Sequence, residues 1–335
     1  MAPMAKLKTM QKETIMSVKL KGSLVLMVGM LICLSLGIEG YAKGNYPNKP
    51  VKVIVPYSAG GDTDLVTRLW AGSAEKILGV PVVVINKAGG SGAIAANFVS
   101  KAKPDGYTIM AACTTPNLIT PNFTKVTFGL DNFSPICLFV SSEMGLVVKS
   151  DSSYKTFDDF IKGAKKNPGK ISISTYGATS ASTIYSKIWS GALGIDLKYV
   201  HYKGAAPAMV AMLGGHVDST MSLPQVYGPH VKANKARILF QTLKSKKYPN
   251  VPTLQEYGVK GDYTAWNGFF APAGTPAPIV KKLAEVTKKV CEDHDVIKAI
   301  ANTGGTLRFQ SGAEWDESLK KQYKEIAEIA KRLRK

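Results

Sequence analysis

Apolar and polar positions fall into a repeating rhythm along this chain. The run Val51 to Pro56 is apolar at every position but Lys52 and reads as a buried strand. Leu65, Leu69, Ala74 and Ile77 then recur near helical spacing over 65–78. A second strand fits Val82 to Ile85, a second helix 91–102, and a third strand Tyr107 to Ala112, after the turn Pro104-Asp105-Gly106. The rhythm restarts after residue 150. Helices fit 156–166, 180–193, 205–213 and 224–234, and strands fit 171–175, 197–201, 217–221 and 237–242. Such alternation predicts an α/β fold with a largely parallel sheet in each block. The stretches 114–134 and 244–276 look looser. In the tail, Ile279, Leu283, Val286 and Val290 make one amphipathic face, and Trp315, Leu319, Tyr323, Ile326, Ala330 and Leu333 another. Two blocks of similar rhythm predict two α/β domains with a cleft between them.

The first forty residues follow a different order. Lys6, Lys8, Lys12, Lys19 and Lys21 precede an apolar run from Leu24 to Ile38, and small residues follow at Gly40 and Ala42. Basic, apolar, then small-x-small is the order of a secretory signal peptide, here 1–42, with Met16 as an alternative start. The apolar run is shorter than the ~18–20 residues a membrane-spanning helix needs. Ile32 before Cys33 argues against a lipoprotein signal. The mature chain would begin near Lys43 as an exported, periplasmic protein.

Charge changes the picture less than its size suggests. The 335 residues carry 43 basic against 24 acidic side chains, a formal +19, and removal of 1–42 leaves +16. Only Arg68, Arg237, Arg308, Arg332 and Arg334 are arginine. Lysine is a hydrated point charge, so the excess reads as a solvated surface, and no nucleic-acid module is visible. Cys113, Cys137 and Cys291 remain after export, an odd number that reads as buried thiols more readily than as a disulfide framework, although a Cys113–Cys137 bridge stays open.

The chemistry concentrates in loops. The first strand runs into Tyr57-Ser58-Ala59-Gly60-Gly61-Asp62-Thr63-Asp64 and a helix, and the strand at 171–175 runs into Tyr176-Gly177-Ala178-Thr179-Ser180-Ala181-Ser182-Thr183 and a helix. Strand, glycine loop, helix aims backbone N–H groups at an anion. The simpler reading is that Asp62, Thr63 or Asp64 only caps its helix. One such loop per block favours a site that grips the two ends of a small anion. Gly90-Ser91-Gly92-Ala93-Ile94-Ala95 fits a dinucleotide fingerprint, but it follows the second strand and lacks the downstream acid at a strand end, so it reads as a tight turn. His201, His216, His230 and His294 have no metal-ligand spacing, and no catalytic motif occurs. No metal, cofactor or catalytic residue is expected.

The same loops resemble a known family. Tyr46-Pro47, Lys49-Pro50, Ala59-Gly60-Gly61 and Thr63-Asp64 look like the opening of the Bug proteins, the extracytoplasmic solute receptors of tripartite tricarboxylate transporters. The likeness continues through Gly89-Gly90-Ser91-Gly92, Pro104-Asp105-Gly106-Tyr107, Asn167-Pro168-Gly169, Tyr202-Lys203-Gly204, Leu213-Gly214-Gly215-His216-Val217-Asp218 and Ala271-Pro272-Ala273-Gly274-Thr275-Pro276. It implies a type II periplasmic binding protein of the Venus-flytrap kind, two α/β domains joined by crossing hinge segments near Leu146 and Phe269. Domain 1 would be 46–145 plus 266–335, and domain 2 would be 146–265. The resemblance implies a ligand site built from Tyr57, Ser58, Ala59, Gly60, Gly61, Thr63 and Asp64, then Thr114 and Thr115, then Tyr176, Gly177, Thr179, Ser180 and Ala181, with Tyr202 and Ser222. It implies a small organic carboxylate as ligand (mono-, di- or tricarboxylate, or an aromatic acid), membrane subunits of a tripartite transporter as partners, and action as a monomer rather than an enzyme. Asp62 departs from the family pattern, which often has a small residue there, and puts negative charge beside the expected carboxylate. Ser222 stands where many members carry an Asp-Asn-type polar pair and keeps a hydroxyl but no charge, which mildly favours a carboxylate over an amino group. A receptor feeding a sensor, or an exported enzyme on the same scaffold, are the competing readings.

Overall fold

Burial of the apolar runs produces two mixed sheets. The computed structural model describes residues 46–333 apart from 262, so the expected signal peptide lies outside the described residues. From Pro47 onward the chain is one compact unit. Its first sheet has the order β11-β4-β10-β3-β1-β2 and its second β7-β6-β8-β5-β9. The strands are β1 (Val51–Val55), β2 (Val82–Asn86), β3 (Thr108–Cys113), β4 (Phe133–Glu143), β5 (Gly145–Lys149), β6 (Ser172–Thr175), β7 (Lys198–His201), β8 (Ser219–Ser222), β9 (Ala236–Gln241), β10 (Thr264–Pro272) and β11 (Thr306–Ser311). Longer helices are α1 (Asp62–Leu78), α2 (Ala93–Ser100), α3 (Phe157–Lys166), α4 (Ala181–Ala192), α5 (Ala205–Leu213), α6 (Pro224–Lys232), α7 (Ala277–Val290), α8 (His294–Thr303) and α9 (Gly312–Leu333).

Each sheet is mixed, which corrects the expectation of largely parallel pairing. β1 pairs in parallel with β2 and β3, but β10 runs antiparallel to β3 and β4, and β11 antiparallel to β4. In the second sheet β6 is parallel to β7 and β8, while β5 is antiparallel to β8 and β9. β5 and β10, the first strands after each crossing between the sheets, run antiparallel to both of their neighbours. The chain leaves the first sheet at Met144, between β4 and β5, and returns between Gln241 and Thr264. Phe269, expected at a crossing, is instead inside β10, opposite Cys137 and Ala111.

The stretch expected to be loose at 244–276 holds the nine-residue strand β10, and the one at 114–134 holds a π-turn, Thr115–Ile119, that runs into a helical turn, Thr120–Phe123. Both are buried along nearly their whole length, so neither shows a polar face that would give them a period. α1 begins at Asp62, earlier than its apolar pattern, and ends on Gly79 in the left-handed region, φ 70°. At α3, the Thr156 hydroxyl accepts from Asp159 N–H and the Asp159 carboxylate accepts from Thr156 N–H, a reciprocal cap.

Aromatic contacts knit each domain. Trp70 packs on Phe269 at 4.3 Å and donates its indole N–H to Thr287 Oγ1, and Trp266 meets Trp315 edge-on at 4.7 Å. Around the second sheet Phe157 contacts Phe240 at 4.6 Å and Trp189 at 5.8 Å. Cys113 and Cys137 are both buried and free, so no bridge links them. No helix among the described residues is long and apolar enough to cross a membrane.

Candidate functional site

The carboxyl ends of parallel strands are where α/β sheets leave their connecting loops open to a ligand. Here β1 and β3 of the first sheet end in the loops 57–61 and 114–115, and β6, β7 and β8 of the second end in 176–180, 202–204 and 222–223. The two sets of loops meet face to face. Ser58 Oγ donates to the carbonyl of Lys203 at 3.3 Å, Ala181 N–H to Thr115 Oγ1 at 2.9 Å, and Thr179 N–H to Ser91 Oγ at 3.2 Å. The rings of Tyr57 and Tyr176 pack edge to face across the same junction, 5.5 Å apart. The protein is therefore in a closed form, with N–H groups at the start of α4 held by hydroxyls of the other domain.

Between the loops lies a cavity of about 10 Å³, room for about one water. Of the residues expected at the site, Tyr57, Thr63, Thr114, Thr115 and Tyr176 line it. Asp62, Cys113, Leu223, Ala265 and Trp266 complete the lining. A larger hollow of about 650 Å³ lies elsewhere, along α4 and α9 near Lys187 and Glu328, and carries none of these loops.

The other expected residues take different stations. Gly60 and Gly61 face the start of α5, where a Cβ on Gly60 would stand 3.7 Å from Ala206 Cβ, and Ala59 is exposed at the loop tip. Asp64 is turned inward: it accepts from Gly60 N–H at 2.9 Å, from Asn86 Nδ2 at 2.9 Å and from Arg68 Nε at 3.0 Å. It holds the loop in shape rather than opening onto the cavity. Ser180 caps α4 through Thr183 N–H, and Gly177 abuts Ser91. Tyr202 donates its N–H to the Thr175 carbonyl, outside the cavity. Ser222 is fully buried beside Leu223, and its hydroxyl has no hydrogen-bond partner.

Ser91 was hidden by its own motif. Gly89, Gly90, Ser91 and Gly92 all have positive φ, and Ser91 at φ 53° is one of two non-glycine residues of that kind among the described residues. A Cβ at Gly92 would stand 2.8 Å from Pro116 and 3.1 Å from Pro56. The glycines of the apparent dinucleotide fingerprint thus serve a close backbone approach, and the loop, anchored by Thr120 Oγ1 on the Ser91 carbonyl, offers the Ser91 hydroxyl to the second domain.

Burial controls the protonation of the cavity wall. It raises the Tyr57 and Tyr176 phenols well above their ordinary value and also raises the Cys113 thiol, so all three stay neutral. It raises the Asp62 carboxyl too, against hydrogen bonds from Asn267 and Thr63 that pull the other way. Asp64 behaves oppositely: burial would raise it, but the bonds from Arg68, Gly60 and Asn86 prevail and lower it. Among the described residues no cluster of three His, Cys, Asp or Glu could hold a metal. The wall can donate from hydroxyls and backbone N–H groups, accept at Asp62, and offer aromatic faces.

Known proteins are similar to this chain in sequence and in fold. Residues 66–333 match the family described as the tripartite tricarboxylate transporter family receptor. The "UPF0065 protein in the TAR-I ttuE-ttuC' intergenic region" of Agrobacterium vitis is 33% identical over 297 residues, 86% of this chain and 85% of that one. Among solved structures, the periplasmic binding protein BugD superposes with a TM-score of 0.79 at 32% identity, covering 86% of this chain and 98% of BugD. MatC from Rhodopseudomonas palustris with bound malate gives a TM-score of 0.80 at 25% identity, covering 85% of this chain and all of MatC.

Proposed function

We propose, from the premise that this chain belongs to the tripartite tricarboxylate transporter receptor family, that it is an exported receptor that closes around a small organic carboxylate and presents it to the membrane subunits of such a transporter. The observation that carries this reading is the junction of two loop sets at the carboxyl ends of parallel strands, sealed over Tyr57 and Tyr176. MatC, which holds malate, shares the fold along nearly its whole length.

The mechanism follows from the contacts. In the closed form Ala181 N–H and Thr179 N–H rest on Thr115 and Ser91. Opening at Met144 and within 242–263 would separate those pairs and bare the N–H groups at the start of α4. A carboxylate entering between the domains would accept from them and from the Thr114, Thr115 and Tyr57 hydroxyls, and closure would follow because the anion is best satisfied by both walls together. We assign the first domain to the segments that build the first sheet, up to Met144 and again from Thr264 onward, and the second to the chain between them, one or two residues from the expected bounds 46–145 plus 266–335 and 146–265. The cavity wall suits holding rather than bond making: its phenols and thiol are kept neutral by burial. Delivery to a sensor would use the same closed form.

Thermal unfolding of the chain from Lys43 onward, refolded to strip ligand and titrated with a panel of mono-, di- and tricarboxylates, tests the proposal. A ligand at ~100 times its Kd adds about 2.7 kcal/mol, a rise of several degrees in Tm. A rise with one class of acid is the expected result. No shift with any acid would overturn it.

A further inference from the structure

Two acids sit in the first turn of α1, and only one has a cation. Asp64 faces Arg68 at 3.0 Å and is fully satisfied. Asp62, two residues earlier and 7% exposed, lines the cavity with neutral donors alone: Asn267 Nδ2 at 3.2 Å, Thr63 Oγ1 at 3.4 Å and the backbone N–H groups of Asp62 and Thr63. The titratable groups facing it are Tyr57, Cys113 and Tyr176, all weak acids. Among the described residues that line the cavity there is no lysine, arginine or histidine.

Resting on the receptor reading above, we propose that Asp62 selects solutes carrying a protonated amine, so that the preferred ligand is an amino-carboxylate zwitterion rather than a plain carboxylate. A buried carboxylate without a cation is strongly unfavourable, and a ligand ammonium supplies the missing charge. A plain carboxylate in the same cavity would bring a second negative charge toward the first. The rest of the wall agrees. Tyr57, Tyr176 and Trp266 put aromatic rings around the cavity, which favours a cation further. Asn267 is 4% exposed and its Oδ1 has no donor, so a second acceptor stands next to Asp62, and an ammonium has three N–H groups to share. The ligand carboxylate is left to the Thr114 and Thr115 hydroxyls and the N–H groups of the second domain.

Calorimetric titration of the stripped chain with aspartate against succinate, and glutamate against glutarate, isolates the amine, because each pair differs only there. The amino member should bind at least tenfold more tightly near neutral pH in at least one pair, and the preference should fade on acidification as Asp62 takes a proton. Asp62→Asn and Asp62→Ser should remove the preference while leaving Tm equal or higher, since neither variant buries a charge. Equal or tighter binding of the plain acids, or a preference unchanged in both variants, would overturn the inference and leave the receptor reading intact. Plain-acid binding that strengthens on acidification through Asp62 would overturn it in favour of a shared proton. Silence from both members of every pair and from the wider acid panel would overturn both readings together.

Discussion

Replacing Gly177 by alanine attacks the closed form at one point. Gly177 has φ 143°, a conformation that side chains rarely adopt. That strain, about 1–3 kcal/mol, weighs on open and closed forms alike. The second penalty is specific to closure. An alanine Cβ would stand 2.5 Å from Ser91 Oγ and 3.1 Å from Ser91 Cβ, and the Ser91 backbone is held by Thr120. The loops must back away, which breaks the bonds from Thr179 to Ser91 and from Ala181 to Thr115. At about 1 kcal/mol each, the closed form loses about 2 kcal/mol. Binding through that form then weakens roughly thirtyfold. Calorimetry with whichever acid raises Tm reads this directly. Ser91→Gly added to Gly177→Ala removes the two side-chain atoms the new Cβ meets and leaves the Ser91 Cα at 3.2 Å, and should restore most of the affinity, to within about fivefold to tenfold of the parent, short by the lost Thr179 bond of about 1 kcal/mol and that remaining contact. An unchanged Kd in Gly177→Ala, or a double variant no better than the single, would refute the closed geometry.

Other expectations follow from the same contacts. Asp64→Asn should lower Tm at pH 7 by an amount equivalent to about 1–2 kcal/mol, and the deficit should vanish on acidification. The Asp64 carboxyl is lowered in the folded protein, so its contribution is complete above about pH 4 and is lost as pH falls through the folded value; thermal melts from pH 7 to pH 3 check the sign. Asp62 is raised, so Asp62→Asn should be neutral or stabilising at pH 7, and a fall in Tm would contradict the burial argument. Gly268→Ala would drive a Cβ into the Cys137 carbonyl and the Trp315 ring, and should cost about 3 kcal/mol or more, visible as a large fall in urea midpoint. A neutral thiol reagent should leave Cys113 and Cys137 untouched in the native protein and label both after unfolding; burial pushes the Cys137 thiol up to about 12.

The βα rhythm was readable because each parallel strand ends at a glycine or turn signal and each following helix shows one apolar face. β4 and β10 were not. β4 contains Pro135, which argues against a strand, and β10 contains Gly268, which exists for the approach of Cys137 and Trp315 rather than for a turn. Their burial on both faces erases the alternation that marks a strand. At the site, the two glycine loops announced themselves through composition, and Tyr57, Thr63, Thr114, Thr115 and Tyr176 do come together. Ser91 did not, since its Gly-x-Gly setting mimics a nucleotide loop and its partner Thr179 is 88 residues away. Asp62 was visible as an oddity, but its isolation depends on where Arg68 points, and that only the fold decides. Pairing across a cleft has no period in sequence.

A crystal structure of the stripped chain, soaked or co-crystallised with an acid that raises its Tm, tests most directly whether the two loop sets hold the ligand. The ligand carboxylate should lie between the Tyr57–Gly61 loop and the start of α4, with Tyr57 and Tyr176 on either side and Thr115 within hydrogen-bond distance. A ligand found instead in the groove along α4 and α9, or a cleft that stays shut with the acid bound elsewhere, would contradict it.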